Sequence, residues 1–414
     1  MTKLADSIQI RNTQFKNRII KGAMSEALAN DAGQPNQAHL KLYEAWAKGG
    51  LGCAITGNVM VDFRAKNEPG VVVVETERDL AQLQAWAEVG KRHGMVQLVQ
   101  LSHPGRQCPK GLNKETVAPS AVPFSPALAV SFGTPRELGE DEILDIIQRF
   151  ATSAAICEKA GFEGVQLHGA HGYLISQFLS PLTNKRQDQW GGSIENRSRF
   201  LLETYQAVRA ATSENFIISV KLNSADFQRG GISEEDVIYV FKAMDAAGID
   251  MIEVSGGTYE APAMAGVKAE KRKASTVARE AYFLDFAEKI RQEVNCHLMV
   301  TGGFRTAAGM NAALESGACE FVGIARPFAV EPDLGDRLVA GEDVRYAVEK
   351  IKTGIPMVDK MAIMEIIWYA AQFKEIAKGN QPNPKLSPLK VFLNYLKGNV
   401  KAVIKGQINS RKSA

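Results

Sequence analysis

The sequence predicts an α/β fold, a (β/α)8 TIM barrel preceded by an N-terminal hairpin and followed by a helical C-terminal extension. Eight short apolar runs lie along residues 18–324, with amphipathic segments of about ten to twenty residues between them, which is the rhythm of a barrel. The competing architecture, a doubly wound sheet, normally shows a glycine-rich dinucleotide turn after an early strand, and no G-x-G-x-x-G occurs. Walker A, G-x-S-x-G and H-E-x-x-H motifs are absent as well.

Taken in order, residues 7–15, SIQIRNTQF, alternate apolar and polar around Asn12 and read as a hairpin suited to closing the bottom of a barrel. The predicted strands are 18–24, 51–57, 95–101, 164–168, 216–222, 250–255, 297–301 and 320–324. Helical patterns fall between them at 79–93, 140–160, 194–211, 233–247 and 277–293, and Ser233-Glu-Glu-Asp is a capped start for one of these. Two connections are too long for plain turns: 102–139, rich in Pro, Ser and Gly, and 256–276, which carries Lys268, Lys271, Arg272 and Lys273. Both belong on the C-terminal rim, where barrel enzymes place substrate loops. The basic cluster reads equally well as a solvated loop or as a contact for nicotinamide cofactor phosphates. Past about residue 345 the barrel pattern ends, so the chain divides into a barrel over 1–345 and an extension over 346–414. In the extension a helical stretch, 355–378, precedes a Pro/Asn linker and a basic tail.

Composition bounds the function. The apolar fraction of 45% and charged fraction of 23% are those of an ordinary globular chain with ample core. A net charge of +3 gives no case for nucleic acid. The N-terminus MTKLADSIQI has no apolar leader segment and no apolar run reaches the length of a membrane span, so a cytoplasmic location is expected. Five cysteines stand far apart with no C-x-x-C pair, which predicts free thiols and argues against an iron–sulfur cluster.

The chemistry-bearing residues sit at predicted strand ends. Strands seven and eight end in Thr301-Gly302-Gly303-Phe304-Arg305 and Gly323-Ile324-Ala325-Arg326-Pro327. Bare glycine backbone lets amide N–H groups approach a phosphate, and an arginine forks onto its oxygens. Either loop alone reads as a tight turn; the two together with Arg326 read as a phosphate cradle. One phosphate site without a dinucleotide fingerprint points to a monophosphate cofactor, FMN rather than FAD. At the end of the fourth strand, His168, His171 and Tyr173 fall within six residues, interleaved with Gly169 and Gly172. Two imidazoles and a phenol supply hydrogen-bond donors and a proton source but no nucleophile, which suits polarising a carbonyl and protonating a carbon.

The stretch from Gly164 to Arg197, GVQLHGAHGYLISQFLSPLTNKRQDQWGGSIENR, closely resembles the signature of the Old Yellow Enzyme family, the FMN-dependent ene-reductases. The resemblance implies an NAD(P)H:flavin oxidoreductase in which NADH or NADPH reduces FMN and leaves, and a small electrophilic alkene then takes its place. Enones, quinones, nitro compounds and nitrate esters all suit such a site. The resemblance places Ala23 and Met24 against the flavin ring, Gly57 under it, and Gln100, in VQLVQLSHPGR, at its pyrimidine edge. Lys221, in SVKLN, falls where the family has a basic residue beside flavin N1 and O2. A cation there stabilises the negative charge of the reduced flavin. Ser25 departs from the Cys or Thr that relatives place against flavin O4; it still donates one hydrogen bond but cannot act as a redox-sensing thiol. His168 and His171 match the pair that grips the substrate oxygen, and Tyr173 matches the residue that protonates the α-carbon. A phenol, with an ordinary pKa of about 10, is protonated at neutral pH as that role needs.

Two other classes compete. A metal-dependent barrel hydrolase would use His103, His168 and His171, but the carboxylates that such sites add are not clustered with them. A non-catalytic flavin-binding protein would need none of the His/His/Tyr cluster. No metal site is expected. In the tail, Leu389, Phe392, Leu393, Leu396, Val400, Val403 and Ile404 recur at helical spacing opposite Lys390, Asn394, Lys397, Lys401 and Lys405. That apolar stripe is expected to pack on the barrel or on a second subunit of a homo-oligomer. The alternative is a basic amphipathic helix lying on anionic membrane, a rarer use of such a pattern.

Overall fold

The computed structural model describes residues 2–226, 228–257, 283–342, 351–359 and 363–397. Eight parallel strands among them close on one another: β1 (Ile19–Lys21), β2 (Cys53–Met60), β3 (Val96–Ser102), β4 (Gly164–Gly169), β5 (Ile217–Asn223), β6 (Met251–Ser255), β7 (His297–Thr301) and β8 (Phe321–Ile324). Each pairs with the next, and β1 pairs with both β2 and β8, so no edge is left. This is the (β/α)8 barrel, and every strand falls on a predicted run.

Helices follow the strands outside the barrel, at Gln37–Lys48, Leu80–Lys91, Glu140–Ala160, Ile194–Ala211, Glu234–Ala247, Leu284–Ile290 and Ala307–Glu315. The expected start at Ser233 is present: its hydroxyl accepts from Asp236 N at 3.1 Å, while acidic residues fill the first turn. Outward strand residues such as Val165, Leu167, Val220, Ile252 and Val322 pack with the helices in one continuous core. This burial on both faces is why the strands read as short, largely apolar runs.

Inside the barrel the inward positions change character along the strands. At the N-terminal end they are apolar, with Ile20, Cys53, Ile55, Leu98, Ile217, Met251, Met299 and Phe321 in a separate cluster. The hairpin Ile8–Ile10 with Thr13–Phe15 closes that end, inserting Ile10 and Phe15; the Phe15 and Phe321 rings stand 5.1 Å apart. At the C-terminal end the inward positions are polar: Gln100, Gln166, His168, Lys221, Glu253 and Ser255, all buried. A sealed apolar base and a polar mouth therefore share one barrel, and the chemistry belongs at the mouth.

The connection 102–139 lies over the rim and holds a two-residue ladder between Val117–Ala118 and Arg136–Glu137. Of the other long connection only Gly256 and Gly257 are described; Lys268, Lys271, Arg272 and Lys273 lie outside the described residues. In the extension, helix Ile363–Ala377 packs on helix Gln37–Lys48, with the Phe373 and Trp46 rings 5.4 Å apart. Residues 388–397 are helical, and the expected stripe is only partly buried on the chain itself. Val391 is buried and Phe392 and Tyr395 pack against the core, whereas Leu389, Leu393 and Leu396 are 41%, 49% and 43% exposed. The cause is the linker: Gln372 Nε2 donates to Asn383 O, Asn383 N donates to Gln372 Oε1, both at 2.8 Å, and Trp368 Nε1 donates to Leu386 O at 2.9 Å. These bonds set the angle at which the chain enters the helix. Val400, Val403, Ile404, Lys401 and Lys405 lie outside the described residues. No helix among the described residues is long and apolar enough to cross a membrane.

Candidate active site

A cavity of about 230 Å³ opens at the C-terminal end of the barrel. The expected residues Ala23, Met24, Ser25, Gln100, His168, His171, Tyr173, Lys221, Gly302, Gly303, Gly323 and Arg326 all line it. Gly57 does not; it stands behind Met24. The β2–β3 register slips between Ile55 and Asn58, and Gly57 N donates to Glu26 Oε1 at 3.0 Å. A Cβ at Gly57 would lie 2.6 Å from the Met24 carbonyl oxygen, so only glycine allows this approach. Glu26 also accepts from Tyr43 Oη at 2.5 Å and lies 3.9 Å from the buried Lys21 ammonium, which burial lowers to a pKa of about 8. That cluster anchors the Ala23–Ser25 strip at the cavity wall.

At one end, Gly302 and Gly303 have φ of 111° and 99°, backbone that side-chain-bearing residues rarely adopt. A Cβ on Gly323 would lie 1.9 Å from Thr301 Oγ1, a buried hydroxyl with no hydrogen-bond partner. Arg305 and Arg326 bring two guanidiniums to this end. Arg326 Nη1 is 3.5 Å from Glu365 Oε2, a long contact that leaves room for a stronger anion. Two tight glycine turns, two guanidiniums and an orphaned hydroxyl fit a phosphate monoester.

At the other end, the chain doubles back after β4 through His171 and Gly172, both left-handed with φ of 58° and 78°. This brings the His168 ring centroid within 5.2 Å of His171 and 4.5 Å of Tyr173. His168 Nδ1 accepts from Ala170 N at 3.3 Å, which assigns the ring proton to Nε2. His171 Nε2 meets Ser255 Oγ at 2.9 Å, a partner able to serve either tautomer. Burial, and then the charge of Lys221, hold both imidazoles well below their usual pKa, so they act as neutral donors. The Tyr173 oxygen accepts from Asn58 Nδ2 at 3.3 Å and Asn67 Nδ2 at 3.2 Å, which directs its own proton away from both amides.

Beneath the cavity a polar chain links the expected Gln100 and Lys221 through Gln166 and Glu253, which the sequence did not single out. Gln100 Nε2 donates to Gln166 Oε1 at 2.7 Å, and Gln166 Nε2 donates to Glu253 Oε2 at 2.9 Å. Glu253 Oε1 stands 2.9 Å from Lys221 Nζ, close enough for an ion pair but poorly directed for a hydrogen bond. Asn58, Ser255, Thr301, Arg305, Glu365 and Tyr369 are further lining residues outside the predicted set. Four of these adjoin predicted positions or motifs. Glu365 and Tyr369 come from the C-terminal helix, one turn apart.

His103 takes no part in the cavity. It is buried beside Asp62, with burial holding its pKa down to about 4. Among the described residues no group of three His, Cys, Asp or Glu is arranged for a metal. The five cysteines are buried, free and unpaired with one another.

Two glycine turns with two guanidiniums at one end of the mouth, and neutral donors with a phenol at the other, suit an FMN-dependent oxidoreductase. Residues 3–344 match the model of the NADH:flavin oxidoreductase / NADH oxidase family, and the chain belongs to that family, the Old Yellow Enzyme group. Its cofactor is FMN and its activity that of an NAD(P)H:flavin oxidoreductase. The chain is 38% identical to NADH-dependent flavin oxidoreductase iliE of Hypocrea jecorina, over 80% of this chain and 86% of the relative. It is 34% identical to NADH-dependent flavin oxidoreductase iccE of Talaromyces variabilis, over 91% and 98%. The fold is that of the old yellow enzyme homologue of Zymomonas mobilis, with a TM-score of 0.71 at 24% identity, covering 86% of this chain and 96% of that one.

Proposed function

We infer that the protein takes hydride from NADH or NADPH and delivers it to activated C=C bonds of enones or quinones, and to nitro compounds, in two half-reactions that share one cavity. The observation that carries this reading is the single cavity in which the phosphate cradle and the His168/His171/Tyr173 cluster face each other. When bound, FMN supplies reversible storage of the hydride. The Gly302, Gly303 and Gly323 turns with Arg326 hold its phosphate, Ala23, Met24 and Ser25 pack beside its ring, and Gln100 and Lys221 take the pyrimidine edge. His168 and His171 hold the substrate oxygen and stabilise the charge that develops there as hydride reaches the β-carbon. Tyr173 then gives its proton to the α-carbon.

The barrel domain ends near residue 345 on this reading, and the following helix lends Glu365, Ile366 and Tyr369 to the site. A cytoplasmic location is part of this proposal. NADH is the favoured reductant, because the two relatives compared above carry NADH dependence in their names.

The test is the visible spectrum of the purified protein, followed by anaerobic titration with NADH or NADPH and then cyclohexenone. A yellow protein that bleaches with the nicotinamide and recovers its colour with the enone is expected. A colourless protein that takes up no FMN ends the reading, and recovery of FAD contradicts the monophosphate argument.

A further inference from the structure

Glu253 is the one carboxylate on the floor of the mouth among the described inward positions, and its side chain is fully buried. It reaches two cavity-lining groups at once. Directly, Oε1 lies 2.9 Å from Lys221 Nζ, its register partner on β5. Indirectly, Oε2 accepts from Gln166, which in turn accepts from Gln100.

The second link has a direction. An ionised carboxylate only accepts hydrogen bonds, so Gln166 must turn its NH2 towards Glu253. Its oxygen then faces Gln100 and must receive an N–H there. Gln100 is left with its own carbonyl oxygen as the acceptor available to a bound ring. The carboxylate at 253 thus decides which edge Gln100 presents two residues away, without touching the ligand.

The first link concerns charge. Reduction of FMN by hydride adds two electrons and one proton, hence one net negative charge on the ring. An uncompensated Lys221 would favour that state strongly in a low-dielectric site. Glu253, 2.9 Å from the ammonium, opposes its field.

We propose that Glu253 is a positioning residue for FMN: its carboxylate orients the Gln166–Gln100 amides and offsets the Lys221 charge, so that the flavin's midpoint potential is held down and its reduced form stays a ready hydride donor. This rests on the reading that Lys221 and Gln100 adjoin the flavin.

The full-length FMN-loaded protein tests it. Spectroelectrochemistry gives the midpoint potential, and fluorescence titration of the apoprotein gives the dissociation constant of oxidised FMN. E253Q keeps the shape and loses the charge. Its ratio of oxidised to reduced FMN dissociation constants should rise by about tenfold or more, a positive shift of about 30 mV for a two-electron couple. Oxidised FMN should also bind more weakly, because the Gln100 amide is no longer held one way round. K221Q should shift the potential in the opposite direction, and K221Q/E253Q should return it towards the parent value. Should E253Q fail to fold, the comparison runs between K221Q and the charge-balanced double variant, whose ratio must lie about tenfold higher. A shift in K221Q with none on removing Glu253 overturns this proposal alone. An unchanged potential in K221Q removes Lys221 from the flavin and overturns the underlying reading with it.

Discussion

At the scale of single residues the site depends on how a phenol is held. Tyr173 accepts from two amides, Asn58 and Asn67, so its hydroxyl is fixed in rotation and its proton is aimed. The neighbouring imidazoles are neutral and therefore donate without competing for that proton. Tyr173→Phe should accordingly slow enone reduction by about 10²-fold or more, the range of a positioned general acid. Quinone reduction should fall far less, since quinone oxygens take protons from water. Flavin reduction by NAD(P)H should stay near the parent rate. Stopped-flow traces of the two half-reactions check this, and an enone rate equal to the parent's would make solvent the donor. The cluster was legible because His168, His171 and Tyr173 crowd one strand end. Asn58 and Asn67 were not, since a register slip at Gly57 and a loop fold bring them there. Glu253 escaped for another reason. Its place inside the barrel follows from the Met251, Glu253, Ser255 alternation, but nothing in that alternation says which strand stands beside it.

At the scale of elements the barrel separates stability from chemistry along its axis. The hairpin plug and the inward residues Ile20, Leu98, Ile217, Met251 and Phe321 form a core of their own beneath the polar mouth. Phe15 is fully buried there. Phe15→Ala should cost about 3–5 kcal/mol of stability, the usual range for emptying such a site. FMN affinity should change less than about twofold, because the phosphate cradle is at the opposite end. Denaturant unfolding of the variant, set against its FMN titration, measures both; a large affinity loss would show that base and mouth are coupled. The strands were legible because burial on both faces leaves unmistakable apolar runs between polar helices. What stayed hidden were pairings too short to carry a pattern, such as Val72–Val73 on the end of β2 and the Val117–Ala118 ladder. The strand β2 also outruns its expected end at Gly57 and continues to Met60, because the register slip lets pairing resume.

At the scale of the whole molecule the C-terminal extension joins the site to the surface. Helix Ile363–Ala377 shows Glu365, Ile366 and Tyr369 to the cavity, while its far side receives Val391 and Tyr395 of the last described helix across a surface cleft. Of the expected apolar stripe Phe392 packs on the core, but Leu389, Leu393 and Leu396 face outward and are not buried on the barrel. No period reveals that split, since it comes from the Gln372–Asn383 bonds in the linker. A chain ending at Gly379 tests both faces of this helix. Losing the inward face exposes Ile367 and Ala370 and frees helix Ile363–Ala377, so the melting temperature should fall on the order of 5 °C. FMN should bind several-fold more weakly, because Glu365 and Tyr369 are less firmly placed. The outward leucines separate the remaining readings. If they join a second subunit, the full chain sediments as a larger species than the truncated one, and this is the outcome we expect from a hydrophobic row left over after the barrel is complete. If they lie on anionic membrane, both chains sediment alike and only the full chain binds anionic liposomes. A truncated chain with unchanged melting temperature, sedimentation and FMN affinity would mean that residues 380–414 contribute nothing to the fold, and would refute the docking of Val391 and Tyr395 along with both readings of the leucine row.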